Sequence, residues 1–181
     1  MGLKEATSEK HRKAELMPFN VLMINGKLTA PQYGWYLQAQ LAIFEAIEDN
    51  FELPHPALAR KEAVKVDMKS LGLDEVDRAT VPAAKFYDYS AKADEYAEYL
   101  KSLTQEEVNA HIYLHYLALM FGGQMIKSKV PGNGAMYEFG EDMMAAAGAI
   151  REIQSDDWAD EVNKGFDYMI DIFKELYIRM Q

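Results

Sequence analysis

Apolar side chains along this sequence recur every three or four residues, the period of a helix. No stretch alternates apolar with polar residues long enough to make a strand. The longest helical pattern runs from Thr104 to Val130. Thr104 with Glu107 three residues later reads as a capping box, so a helix starts there. Gly122 and Gly123 then stand side by side well inside the pattern. Each costs about 1 kcal/mol relative to alanine in a helix interior. The pair therefore predicts a kink and a bare ridge of backbone. Such a ridge suits close packing of another helix, or a flat ligand laid on the main chain; the pattern leaves both open.

The rest of the chain is helix after helix. Leu3 to Glu15 is short and polar, with Lys4, Thr7, Ser8, His11 and Glu15 on one stripe. Phe19 to Asn25 is apolar and stops at Asn25-Gly26. Thr29 with Gln32 makes another capping box, and Pro31 lies in the first turn, where its missing donor is harmless. That helix carries Tyr33, Tyr36, Leu37, Leu41, Phe44, Ile47 and Glu48 and stops near Leu53-Pro54. Pro56 to Leu71 is predicted helical, ending at Gly72. After a polar link ending at Pro82, Ala83 to Leu103 is another helix, with Tyr87, Tyr89, Tyr96 and Tyr99. A break at Pro131 to Gly134 precedes a Met- and Ala-rich region from Phe139 to Gln154. The final helix, about Asp156 to Met180, has Trp158, Val162, Phe166, Met169, Ile170, Phe173 and Tyr177 on its apolar face. The expectation is an all-α helical bundle, one domain over residues 1–181.

Composition narrows the function. The chain is 49% hydrophobic and 27% charged, an ordinary balance for a domain with a real core. A net charge of −10 leaves no surplus of cations to hold phosphates, which argues against nucleic acid as a partner. No apolar run reaches the ~18 residues of a membrane span, and the N-terminus has no apolar signal-like core. The absence of cysteine rules out disulfides and thiolate metal sites and fits a cytoplasmic setting. No Gly-rich phosphate loop or serine nucleophile elbow is present.

Candidate chemistry rests on four histidines. His55 lies in a Pro-flanked turn and reads as a solvated loop residue. His111 and His115 are an i, i+4 pair one turn after Glu107. They could hold a metal only with carboxylates from other helices, such as Glu45 or Glu48. The alternative is a pair of locally hydrogen-bonded imidazoles in the core. His11 shares its stripe with Lys4, about two turns or ~10 Å away. A histidine ligating iron at a ring centre and a lysine meeting a carboxylate at the ring edge would need about that separation. A solvated helix face would look the same.

Two stretches carry a family resemblance. LKEATSEKHRKAE, Leu3 to Glu15, resembles the proximal helix of the biliverdin-forming heme oxygenases. AHIYLHYLALMFGGQMIKSKV, Ala110 to Val130, resembles their kinked distal helix, and GGQMI with the following KV is closest to the plant and photosynthetic branch. The resemblance implies heme as both cofactor and substrate, opened with dioxygen and electrons to biliverdin, carbon monoxide and Fe2+, by family default at the α position (biliverdin IXα). It implies His11 as the proximal iron ligand through a neutral imidazole nitrogen, with Glu15 on the other ring nitrogen. Lys4, Tyr113 and Arg151 would meet the propionates. Gly122 and Gly123 would lie over the distal heme face, and Phe166 and Phe173 would wall the pocket, although core packing explains those two equally well. Lys4, Lys10, Arg12, Lys13 and Lys127 would form a basic rim for an acidic electron donor, ferredoxin in the photosynthetic branch. A bilin reductase would follow downstream.

One position departs from the family pattern. Three residues before the glycine pair, many members carry an Asp that anchors distal waters, and the plant branch typically has His; this chain has Leu119. Another group, with Tyr116, His115 and Gln124 as candidates, must then support the waters, or the chain binds and carries heme without opening it. A third possibility is a non-heme member of similar architecture, a dimetal oxidase built on Glu107, His111 and His115 or a thiaminase-like enzyme.

Overall fold

Side-chain acceptors at the starts of helices set much of the framework. A computed structural model describes residues 1–73 and 90–181, with ten α-helices and no strand among them. The expected helix start at Ala83, with Tyr87 and Tyr89, lies outside the described residues. In α4 (Ala30–Glu48) the Thr29 hydroxyl accepts from the Gln32 amide, and the Gln32 side chain accepts from the Thr29 amide. The predicted box is therefore reciprocal. The helix is buried on most sides, Tyr33, Leu37, Ile43, Phe44 and Ile47 completely, and it packs on α5 (Lys61–Ser70) and α6 (Ala91–Lys101). In α7 (Gln105–Met120) half of the expected box forms: Thr104 accepts from the Glu107 amide, while the Glu107 side chain stays exposed.

The N-terminal stretch is two helices, where the pattern predicts one. α1 (Leu3–Ala6) and α2 (Ser8–Glu15) part at Thr7, whose buried hydroxyl donates to the Leu3 carbonyl at 2.9 Å. A local side-chain bond of this kind competes with continued helix. After α3 (Pro18–Ile24) and α4, the second correction falls between Pro56 and Leu71. The chain first makes a 3-10 turn, Pro56–Leu58, capped by His55, whose Nδ1 accepts from the Ala57 amide at 3.1 Å. His55 is thus a half-buried cap rather than a solvated loop residue, and α5 begins only at Lys61.

Two buried charges then fix residues 134–139. Asp67 on α5 accepts from the Ala135 and Met136 amides at 2.7 and 2.8 Å. The Arg60 guanidinium donates to the Met136 and Glu138 carbonyls at 3.2 and 2.7 Å and lies 3.8 Å from the centre of the Phe139 ring. Burial pushes the Asp67 carboxyl up, against the pull of its backbone donors. Held from both ends, the turn Ala135–Tyr137 delivers Tyr137 into the core.

After α7, Phe121 breaks the helix and α8 (Gly122–Ile126) resumes it, which is the predicted kink. α9 (Met143–Ile153) follows, and then α10 (Ala159–Arg179), entered through a 3-10 turn at Asp156–Trp158. The stripe on α10 is buried at Val162, Met169, Ile170 and Phe173, as its spacing predicts. α10 packs against α2, α3, α6 and α7, so it spans the gap between the N-terminal helices and α7. Gly165 allows the closest approach: a Cβ there would lie 3.0 Å from His111 Nδ1, Leu114 Cδ1 and the Tyr96 hydroxyl. The start of the chain is tied to the same helix and to the 3-10 turn that enters it. The Leu3 amide donates to Asp156 Oδ1 at 2.9 Å, Asn163 donates to the Ala6 carbonyl at 3.3 Å, and Lys10 Nζ lies 2.7 Å from Asp167.

Candidate functional site

His11 projects from α2 with 56% of its side chain exposed, its ring stacked on Phe166 of α10 at 5.2 Å and 14°. Its Nε2 lies 2.9 Å from Glu15 Oε1, one turn on. The contact between His11 and Glu15 that the resemblance implies is therefore present, and in this conformation Glu15 engages Nε2. Ligation of a metal through Nε2 requires the ring to leave that contact. Lys4 is exposed on α1, across the Thr7 break.

On α7 and α8, the residues Leu114, Leu117, Ala118, Phe121 and Gly122 fall on one stripe at i, i+3, i+4, i+7 and i+8. Leu114 is covered by α10, but Leu117 is half-buried and Ala118, Phe121 and Gly122 are exposed. An apolar stripe thus opens outward on a stretch, Ala110 to Met120, that is otherwise buried or half-buried. The two glycines differ. A Cβ on Gly122 would meet nothing within 4 Å, whereas one on Gly123 would lie 2.5 Å from the Tyr137 ring. Gly123 is there for packing and Gly122 for open space. Gln124 braces the kink, its side-chain amide donating to the Tyr137 carbonyl at 2.6 Å and to the Leu119 carbonyl at 3.3 Å.

Arg151 on α9 reaches the same stripe, its guanidinium 5.1 Å from the Phe121 ring centre. Tyr113 is half-buried with its ring edge on Trp158; burial raises its hydroxyl pKa, and the charge of Arg151 partly offsets this. Phe166 and Phe173, seven apart on α10, divide: Phe166 stacks on His11, while Phe173 packs in the core against Phe19 and Tyr36 at 6.2 and 6.1 Å.

The His111–His115 pair is arranged otherwise than a metal site needs. Both rings converge on one buried hydroxyl: Tyr96 Oη is 2.6 Å from His111 Nδ1 and 2.7 Å from His115 Nε2. The other nitrogen of His111 is 2.9 Å from Glu161 Oε2. Tyr99 donates to the same carboxylate at 2.8 Å, and Lys164 donates to it at 3.0 Å. Burial lowers the pKa of His111 despite Glu161, and pushes that of His115 down to about 3. Burial thus favours the neutral form of both rings. Burial alone would raise the Glu161 carboxyl, but its bonds from His111, Lys164 and Tyr99 outweigh this and hold it below the usual range. Glu107 points to solvent, and Glu48 accepts instead from Tyr116 and the Arg60 amide, each at 2.8 Å. The Glu107–His111–His115 dimetal arrangement is therefore not assembled; hydrogen-bonded core imidazoles are what the fold makes.

Comparison with known proteins follows this geometry. The family model described as Heme oxygenase matches residues 1–174.

The chain belongs to the heme oxygenase family.

Among curated relatives, heme oxygenase 2 of Macaca fascicularis is 26% identical over 209 residues, covering 96% of this chain. Heme oxygenase 2 of Oryctolagus cuniculus is also 26% identical, over 208 residues. The chain spans 64% of the length of each of these relatives. In fold it is similar to heme oxygenase-1 of the cyanobacterium Synechocystis, solved in complex with heme. That likeness has a TM-score of 0.81 at 23% identity, over 98% of this chain and 91% of the other. Heme oxygenase of Leptospira interrogans gives 0.77 at 24% identity, over 97% of this chain and 100% of the other. These likenesses place the all-α fold in that family's architecture.

Sequence reasoning passed over three residues that shape this region. Tyr96 joins the two histidines, Glu161 anchors one of them, and Tyr137 supports the kink from behind. Tyr96 and Glu161 sit in ordinary amphipathic helices, so nothing in their spacing marks them. Tyr137 follows a Gly-rich break whose path is set by Arg60 and Asp67, some seventy residues earlier.

Proposed function

We propose that this chain binds heme between α2 and the open face of α7–α8 and opens its ring oxidatively, as a heme oxygenase yielding biliverdin, carbon monoxide and Fe2+. The observation that carries this reading is the outward-facing stripe of Leu117, Ala118, Phe121 and Gly122. A flat apolar ring would cover it, and a large exposed apolar patch otherwise needs an explanation. The residues around it suit heme. His11 offers an imidazole nitrogen, Lys4 and Arg151 offer cations for the two propionates, and the Tyr113 hydroxyl offers a further bond. Heme, when bound, supplies the iron at which dioxygen is activated and is itself the substrate.

The chain's residues bind and orient that group. Glu15, which meets His11 at Nε2 in this conformation, would set the tautomer and basicity of the ring from whichever nitrogen does not hold iron. Gly122 keeps the distal space clear of any side chain. Gly123 works from behind, holding the backbone against Tyr137. Phe166 covers the His11 ring, and Phe173 supports that wall from the core. Ferredoxin is the proposed donor, steered to the basic rim. Because Lys10 pairs with Asp167 and Lys127 with Glu138, that rim rests chiefly on Lys4, Arg12 and Lys13. Biliverdin IXα is the proposed isomer, the cytoplasm the proposed setting, and a bilin reductase the proposed consumer of the product. No helix among the described residues is long and apolar enough to cross a membrane.

A second reading, heme carriage without ring opening, is favoured by the buried, apolar Leu119. Hemin titration followed by turnover with ferredoxin, its reductase and NADPH, with catalase present, separates the two. Bilin formation is expected. Tight hemin binding with no bilin would select the carrier. His11→Ala should keep the fold and lose the wild-type heme spectrum and turnover, both partly restored by added imidazole. An unchanged spectrum in that variant would remove His11 from the site.

A further inference from the structure

Three groups stood as substitutes for the distal acid missing at Leu119, and the structure separates them. Gln124 donates its side-chain NH2 to the Leu119 and Tyr137 carbonyls, and the carbonyl oxygen left to accept belongs to an exposed side chain. Tyr116 donates its one proton to Glu48 at 2.8 Å, and the oxygen left to accept belongs to a fully buried side chain. His115 is different, and the hydrogen-bond chain behind it determines which of its nitrogens carries the proton.

The assignment starts at the surface. Glu161 is ionised, so the nitrogen facing it, His111 Nε2, carries a proton and donates. His111 is neutral, so its Nδ1 is bare and accepts. The Tyr96 hydroxyl lies 2.6 Å away and keeps its single proton, because burial raises its pKa well above the usual value; it donates to His111. Its oxygen then accepts from His115 Nε2 at 2.7 Å, so that nitrogen carries the proton. A neutral His115 protonated at Nε2 presents a lone pair at Nδ1. The chain runs His115 to Tyr96 to His111 to Glu161, every link polarised in one direction.

Position decides what that lone pair can serve. His115 is three residues before Ala118 and seven before Gly122, so it lies at the edge of the open stripe on α7–α8. It is also one turn before Leu119. At 5% exposure it is almost wholly covered, which limits its motion. We propose that His115, oriented by Tyr96, His111 and Glu161, is the acceptor that holds distal water beside bound heme in place of the carboxylate absent at Leu119. His115 is then a positioning residue, acting through water, and the proposal rests on the heme reading above. The titratable and charged groups facing this chain are Tyr96 and Tyr99 from α6, His111 on α7 itself, and Glu161, Lys164 and Tyr168 from α10. At the outer end Tyr99, Lys164, Asp167, Tyr168 and Asp171 line an open cleft of about 410 Å3, so Glu161 stands near solvent.

The first measurement needs neither heme nor turnover. Nitrogen-15 NMR of the ligand-free protein at neutral pH should show His115 neutral and protonated at Nε2. A proton on Nδ1, or a cationic ring, overturns the proposal. The second uses the hemin complex and follows the pH at which its ferric spectrum changes from the water to the hydroxide form. An acceptor at His115 favours water over hydroxide, so His115→Leu should lower that pH by about one unit, the equivalent of one hydrogen bond. Tyr96→Phe keeps the ring stacked on Tyr168 and removes only the hydroxyl; it should shift the transition in the same direction by less. Bilin formation should fall at least about tenfold in His115→Leu at unchanged hemin affinity, within the range for lost proton delivery. Adding Leu119→Asp to that variant should recover most of the rate. An unmoved transition in both variants defeats the proposal, whether or not the wild type makes bilin. Absence of bilin in the wild type, with the transition shifting as stated, defeats the ring-opening reading and leaves His115 as the water-holding group.

Discussion

Gly122 and Gly123 occupy the same kink, yet a methyl group added to each would meet different surroundings. At Gly123 the new atom would lie 2.5 Å from the Tyr137 ring, which is itself 1% exposed and has no room to retreat. Gly123→Ala should therefore destabilise the fold by about 1–3 kcal/mol, the usual cost of overpacking. At Gly122 no atom lies within 4 Å, and alanine is the better helix former. Gly122→Ala should leave stability within about 0.5 kcal/mol of wild type, while crowding the face that the heme reading assigns to the ligand. Urea denaturation of both variants, with hemin titration of the second, checks the pair. Equal losses of stability would mean that the two glycines do one job.

At the scale of elements, the kink depends on pieces distant in sequence. Asp67 and Arg60, both next to or on α5, clamp the turn Ala135–Tyr137, and that turn puts Tyr137 behind Gly123. Gln124 completes the link by reaching the Tyr137 carbonyl. Asp67→Ala would leave two backbone amides without their acceptor in a buried place, at a cost of about 1–3 kcal/mol. Hydrogen exchange should then speed up at Ala135 and Met136 first and at α8 next, while α10 keeps its protection. If α8 is as protected in the variant as in the wild type, the turn does not support the kink. The proximal side is anchored differently, through Leu3 onto the 3-10 turn before α10 and through Ala6 and Lys10 onto the first half of α10. The two halves of the candidate site share α10, and Leu3 of α1 also joins a small buried cluster with Ala110 and Leu114 of α7.

For the whole molecule, burying two neutral histidines makes stability depend on pH. His111 and His115 have folded-state pKa values below the unfolded one, His115 at about 3. As pH falls below about 6.5, the unfolded chain takes up protons that the folded chain refuses, so stability declines with acid. Each such histidine contributes up to about 1.4 kcal/mol per pH unit within that window. Asp67, whose carboxyl burial pushes up, acts with the opposite sign, so urea midpoints from pH 7 to pH 5 are read as the difference between wild type and a histidine variant. The wild-type slope should be positive with pH, and His115→Leu should flatten it. Equal slopes in the two would mean that His115 is protonated in the folded protein. The net charge of −10 sets the long-range field, against which the cationic Lys4, Arg12 and Lys13 stand out near His11.

The sequence by itself determined most of the helices, the split at Thr7 and the late start of α5 excepted, because helical periodicity and end signals are local. The Thr29–Gln32 box, the stripe on α10 and the break at the glycine pair all lie within a few residues of their causes. It also put His11 and Glu15 one helical turn apart on one stripe, and the structure brings them into contact. Tertiary structure decided what a one-dimensional pattern cannot hold. Whether a glycine faces space or a ring depends on which element arrives, and Tyr137 arrives at Gly123 only because α5 directs it. Whether two histidines one turn apart take a metal or a hydroxyl depends on what faces them, and α6 supplies Tyr96. Phe166 and Phe173 share a spacing but part ways, since α2 covers one and α3 and α4 enclose the other. Periodicity fixes the face a side chain takes on its own helix; the partner on that face is chosen by long-range packing.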